Sequence, residues 1–284
     1  EGGPVDCDAS RRAVGNVIAS VSRNAAALIC LANLRQHDDY TYTHCVDVAA
    51  LAVVYGRYLG IAGEDLVDLG LAGLFHDLGK TRVDRAIIVK PGRLSEAEFA
   101  AMKRHPALGR SILEHHAEVP PAVLRAVAEH HERFNGQGYP AGLRHDQISL
   151  FGRILALADV FDALTSDRSY RGAMPADKAL SLMFGMRDKH FASPDLQRFV
   201  KCLGIYPVGS LVRLSDGRLA VVCRHRPHRL LAPVVNVVTD DRGEDQDPVR
   251  LDLADPPGPG QAPLSIVEGL SPRDVGVNVA RWLR

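Results

Sequence analysis

A chain of 284 residues with 46% hydrophobic and 24% charged residues can hide a large core, and suits one large domain or a large and a small one. Its 34 Lys+Arg balance its 34 Asp+Glu. That balance excludes the basic excess of a non-specific DNA or RNA binder and confines any nucleotide contact to a local site. No apolar run reaches the ~20 residues that span a bilayer, so no membrane segment is expected.

The chain opens at Glu1 without Met and without a signal-peptide pattern. The expectation is a piece of a longer protein, with upstream sensory or anchoring segments outside it, and a disordered leader over residues 1–9. Cys7, Cys30, Cys45, Cys202 and Cys223 form no close pairs. That excludes a disulfide framework and a cysteine-based zinc site, and points to a reducing cytosol.

From residue 10 to 203, Ala and Leu recur at three- and four-residue spacing, the period of a buried helical face. Helices are predicted near 10–34, 41–59, 64–78, 95–104, 106–116, 120–131, 149–166, 175–190 and 194–203. Ser95 with Glu98 fits a capping box. Pro106, Pro121, Pro175 and Pro194 suit first helical turns, and Gly60, Gly79 and Gly204 suit helix ends. After Gly204 the pattern changes. Ser210–Leu214 and Leu219–Arg224 read as strands joined by Ser215-Asp216-Gly217, a strong hairpin signal, and Val234–Val238 reads as a third. Residues 240–260 read as a mobile acidic loop and 272–283 as a closing helix. The fold class is therefore mainly α: a helical domain over 10–203 and a small β-rich C-terminal module over 204–284.

The chemistry is concentrated in seven donors from separate helical segments: His44, His76, Asp77, His105, His130, His131 and Asp159. A lone histidine on a helix is more often a surface or core residue than a ligand, so the set matters more than any member. Imidazole and carboxylate donors favour Mn or Fe over a thiolate-type zinc site, with Ni and Zn also accepted. The set exceeds what one octahedral ion needs, so two divalent ions are expected, with Asp77 as their bridge. Neighbouring residues on a helix point about 100° apart, so His130 and His131 are expected to serve different ions. His37, His115, His116, His145, His190, His225 and His228 are read as non-ligands.

Leu74-Phe75-His76-Asp77-Leu78-Gly79-Lys80 resembles the signature of the HD superfamily of metal-dependent phosphohydrolases. His130-His131-Glu132-Arg133-Phe134-Asn135-Gly136-Gln137-Gly138-Tyr139-Pro140 resembles the motif of its HD-GYP branch, and the run from Ala158 to Arg171 is similar to a third block. The resemblance covers residues 30–203 and implies an HD-type helical bundle. It implies a cyclic di-GMP phosphodiesterase giving pGpG and often GMP, with the seven donors as metal ligands. It further implies substrate contacts from Lys80, Tyr139, Arg168 and Arg171. Some members hold a third metal through a Glu where Tyr40 stands here, so two metals are expected; the family often has Asp at the position of Asn135.

Two ions sharing a water would bring its pKa toward neutrality and supply a hydroxide for attack on phosphorus, while Lys80 offsets the charge that builds there. The alternatives are a cyclic di-GMP receptor with little turnover, and a generic one-metal phosphohydrolase using His44, His76, Asp77 and Asp159. As partners, the resemblance suggests a second copy of the chain in a homodimer, an upstream sensory domain, or a diguanylate cyclase. The setting it suggests is the bacterial cytoplasm.

Overall fold

The computed structural model describes residues 5–34, 40–116, 118–166, 172–240, 242–256 and 262–282. Arg168 and Arg171 lie outside the described residues, as does the side chain of Tyr40.

Two helices form the centre of the helical part, α2 (Tyr40–Tyr58) and α8 (Leu150–Thr165). Val48 to Tyr55 is buried without a break, and so is Ile154 to Asp159. Burial on every side marks a helix surrounded by others rather than one lying on a surface. The two pack against each other. Around them lie α1 (Cys7–Leu34), α3 (Gly63–Phe75), α7 (Pro121–Glu129), α9 (Ala176–Gly185) and α10 (Ser193–Leu203). Tyr55 and Phe199 meet edge to face at 5.1 Å where α2 meets α10. Between α3 and α7 the chain makes a 3-10 turn (Leu78–Arg82) and the short helices α4 (Arg85–Ile88), α5 (Glu96–Met102) and α6 (His105–Leu113). The Ser95–Glu98 capping box is present at the start of α5.

Three helical expectations need correction. α1 starts at Cys7 rather than 10, because the Asp6 carboxylate accepts the Ala9 N–H at 2.8 Å and Cys7 is buried in the core. Residues 7–9 are thus helical rather than part of a disordered leader. α3 stops at Phe75, and His76 and Asp77 lie beyond its end. α9 stops at Gly185 instead of 190, because the carbonyls of Lys189 and His190 accept N–H groups from Asn135 and Phe134, each at 3.0 Å. A tertiary pairing replaces the last helical turn.

The C-terminal part holds one antiparallel sheet of β1 (Leu211–Leu214), β2 (Leu219–Arg224), β3 (Val234–Thr239), β4 (Asp245–Asp252) and β5 (Ile266–Leu270), in the order β4-β3-β2-β1-β5. The expected hairpin closes with Gly217 at φ 91 and Val212 paired with Ala220. β3 is buried on both faces, one against Tyr206, Val212 and Val222, the other against Val279 and Trp282. β4 lies inside the segment read as a mobile loop, and β5 was not expected. Both are edge strands, and Asp245-Gln246-Asp247-Pro248 shows no apolar alternation, since an edge facing water needs none and tolerates Pro. The closing helix reduces to a 3-10 turn (Val279–Trp282), whose Trp282 carbonyl accepts the Asn236 side-chain N–H at 2.9 Å.

Candidate metal centre

The seven donors meet where α2, α8 and the ends of α3, α5 and α7 converge. His44 is on α2 and Asp159 on α8, His76 and His130 follow the last turns of α3 and α7, and His105 opens α6 three residues after α5 ends. The last carbonyls of a helix lack intrahelical partners. Here imidazoles supply them: Nδ1 of His76 donates to Gly73 O at 2.7 Å, that of His105 to Met102 O at 2.8 Å, and that of His130 to Val127 O at 2.7 Å. A carbonyl can only accept, so Nδ1 carries the proton and the neutral ring turns its Nε2 lone pair inward. His44 is oriented by a carboxylate instead, its Nδ1 lying 2.6 Å from Asp162 Oδ2. The motif reading assigned Asp162 no role. Its signal was the three-residue step from Asp159, which keeps both on one face of α8.

The inward atoms form two groups that share one residue, His44–His76–Asp77 and Asp77–His105–His130–His131, with donor atoms within 4.8 Å of one another in each. His105 Nε2 is 3.3 Å from Asp77 Oδ1, and His76 Nε2 is 3.5 Å from Asp77 Oδ2. Asp159 spans the two, 3.1 Å from His44 Nε2 and 3.9 Å from His131 Nδ1. His130 and His131, expected to serve different ions, have donor atoms in the same group with Asp77 and His105. Their rings tilt together at 4.1 Å.

A cation fits this donor set. With each Nδ1 facing a backbone carbonyl, His105 and His130 bring their Nε2 atoms within 3.2 Å of each other, a spacing that a shared cation would satisfy. Burial and neighbouring imidazoles hold His130 well below its usual pKa, so His130 does not bring a proton to this contact. Burial pushes His131 down to about 4 against the pull of Asp159. Burial alone would raise Asp77, but His76, Lys80 and His105 keep its carboxyl well below the usual range. Neutral imidazoles and ionised carboxylates are the forms that bind metal. His44 differs: burial opposes its charge, but hydrogen bonds to Asp159 and Asp162 push it up to about 10. A metal at His44 therefore displaces a proton.

The surrounding turns bring these groups together. Gly79 presses on the backbone of His105 and Gly109, and a Cβ there would collide with the His105 carbonyl, so only glycine lets the turn after Asp77 reach α6. Buried Glu129 accepts the Ser149 N–H at 2.6 Å, tying the end of α7 to the start of α8. Glu132, also buried, accepts the N–H groups of Ala141 (2.7 Å), Gly142 (3.1 Å) and Leu143 (2.9 Å) and so holds the Gly-Tyr-Pro loop. The loop presents Tyr139, whose ring lies 4.9 Å from His131. Lys80 donates to Asp77 Oδ2 at 2.5 Å, with its side chain 28% exposed. Among the described residues, the histidines read as non-ligands stand in neither group.

Residues 19–193 match the family model of the HD domain. The chain belongs to the HD domain family. Its Gly-Tyr-Pro loop places it in the HD-GYP branch. This HD-GYP chain is 42% identical over 231 residues to a cyclic di-GMP phosphodiesterase of Pseudomonas aeruginosa, covering 81% of the chain and 56% of that protein. It is 44% identical over 146 residues to 3'3'-cGAMP-specific phosphodiesterase 3 of Vibrio cholerae, covering 51% of the chain and 31% of that protein. It is 38% identical over 143 residues to the cyclic di-GMP phosphodiesterase response regulator RpfG of Xanthomonas campestris, covering 50% and 38%. The chain thus spans between about a third and just over half of these relatives. Its fold is similar to that of an HDG"Y"P protein of Bdellovibrio bacteriovorus, with a TM-score of 0.56 and 22% identity, covering 66% of this chain and 60% of that one. Among the described residues, no helix is long and apolar enough to cross a membrane.

Proposed function

We propose that the chain is a divalent-metal-dependent phosphodiesterase that hydrolyses cyclic di-GMP to pGpG, and to GMP after a second cleavage. His44, His76 and Asp77 would hold one cation, and Asp77, His105, His130 and His131 the other, with Asp159 beside both groups. Imidazole and carboxylate donors suit iron or manganese, and nickel or zinc can also bind such a set. What carries the reading is the pair of buried His/Asp groups joined at Asp77. The names of the relatives support the substrate.

When bound, the cations would supply Lewis acidity to a phosphoryl oxygen and lower the pKa of water. The remaining work falls to the chain's own groups. Backbone carbonyls of Gly73, Met102 and Val127 keep three imidazoles aimed inward, and Asp162 does the same for His44. Lys80, beside Asp77 and partly exposed, would place its ammonium against the phosphate where negative charge builds. Tyr139 stacks on a guanine, and Arg168 and Arg171 hold the second phosphate through their planar donor forks. Residues 10–203 form the catalytic domain and 204–284 a packing or interaction module. The enzyme works in the bacterial cytoplasm, as a homodimer or under an upstream sensory domain or cyclase partner.

The test is Asp77→Ala, which removes the residue common to both groups. Elemental analysis should show metal lost and chromatography should show cyclic di-GMP intact, while circular dichroism keeps the helical signal. Wild-type turnover by this variant, in a preparation free of other nucleases, would overturn the assignment.

A further inference from the structure

We propose that the cleft between α5, α6 and the Gly-Tyr-Pro loop receives a guanine of the cyclic dinucleotide, and that Arg104 reads its O6/N7 edge. This rests on the phosphodiesterase reading and adds the residue that sets base specificity.

The cleft has a volume of ≈ 380 Å³, within the range of small-molecule sites of roughly 300–1,000 Å³. Lys103, Arg104, Ala107 and Leu108 form one wall, Tyr139 and Pro140 the other. Two cations and no acidic side chain line it, in a chain whose charges otherwise balance. Lys103 is partly committed, its ammonium lying 5.1 Å over the Phe99 ring. The exposed Arg104 side chain has no hydrogen-bond or ionic partner among the described residues.

Position ties the cleft to the metal centre twice. Tyr139 belongs to its wall and also packs 4.9 Å from His131, so the cleft begins where the donor cluster ends. Arg104 immediately precedes His105, whose ring is anchored to Met102 O, so the same backbone that positions a metal donor positions the guanidinium. A nucleotide with its phosphate at the cluster lays its base against this wall. Guanine offers O6 and N7 as adjacent acceptors that match the two parallel N–H groups of Arg, whereas adenine puts an amino donor in place of O6. Arg104 therefore favours guanine over adenine.

The test compares kcat/KM for cyclic di-GMP, cyclic di-AMP and bis(p-nitrophenyl) phosphate on the Mn²⁺-loaded full chain, as wild type, Arg104→Met and Arg104→Lys. In Arg104→Met the ratio of cyclic di-GMP to bis(p-nitrophenyl) phosphate should fall about 10- to 100-fold, mainly through KM, and the preference over cyclic di-AMP should fall with it. Arg104→Lys keeps the charge but not the fork, and should resemble Arg104→Met. An unchanged ratio in Arg104→Met, or full recovery in Arg104→Lys, overturns the guanine reading alone. A wild-type protein that cleaves bis(p-nitrophenyl) phosphate but not cyclic di-GMP overturns the substrate assignment, and this inference falls with it.

Discussion

Replacing Asp162 by Ala tests whether the centre depends on groups that touch no metal. Asp162 is 1% exposed; one carboxylate oxygen lies 2.6 Å from His44 Nδ1, and the other accepts Ser166 Oγ at 2.9 Å. Alanine leaves the His44 N–H without an acceptor in a buried site and frees the ring to rotate. Losing a hydrogen bond to a charged group costs about 1.5–3 kcal/mol. Removing the partner that orients a metal-binding histidine weakens metal affinity about 10- to 100-fold, and at ~1.4 kcal/mol per tenfold that is ~1.4–2.8 kcal/mol. The two routes agree in size. Because alanine is the best helix former, α8 itself should survive. Metal affinity is read by competition with a chelator of known strength, and folding by circular dichroism. Asp162→Asn, which keeps an acceptor oxygen, should lose less than Asp162→Ala. If Asp162→Ala binds metal and turns over cyclic di-GMP as the wild type does, the argument that His44 needs this carboxylate is wrong.

Two further outcomes are expected. Glu132→Gln turns one acceptor oxygen into a donor facing backbone N–H groups of the Gly-Tyr-Pro loop, costing about 1–3 kcal/mol. It should raise KM for cyclic di-GMP while metal content stays; unchanged KM and melting temperature would refute the anchoring role. In metal-free protein, His44 is raised from 6.5 to about 10 by Asp159 and Asp162 despite burial. A raised folded-state pKa gives stability that is fully present below 6.5 and lost as pH rises toward 10. Chemical denaturation with chelator present should show that decline, flattened in Asp162→Ala; a wild-type curve level from pH 6.5 to 10 would count against it.

Five of the seven expected donors, His76, Asp77, His130, His131 and Asp159, sit in the three motif blocks, whereas His44 and His105 lie outside them. Asp162 was not singled out, since an aspartate on a buried helix declares no partner until α2 is packed beside it. Arg104 was equally silent, being one exposed cation among many until the loop bearing Tyr139 closes over α6. β4 was missed because an edge strand is defined by backbone pairing with β3, which leaves no apolar alternation to read.

Composition and local pattern alone determined the run of helices and the hairpin at Gly217, while the choice of the seven donors came from the resemblance to the family. The helices and the hairpin depend on neighbours within a few residues, where periodicity, capping and turn chemistry act. Only the tertiary structure decided that helix-end carbonyls aim three imidazoles, that Asp162 orients His44, and that a basic cleft opens beside Tyr139. Each of these depends on side chains far apart in the chain meeting at one point, and burial at that point sets both their protonation and their direction.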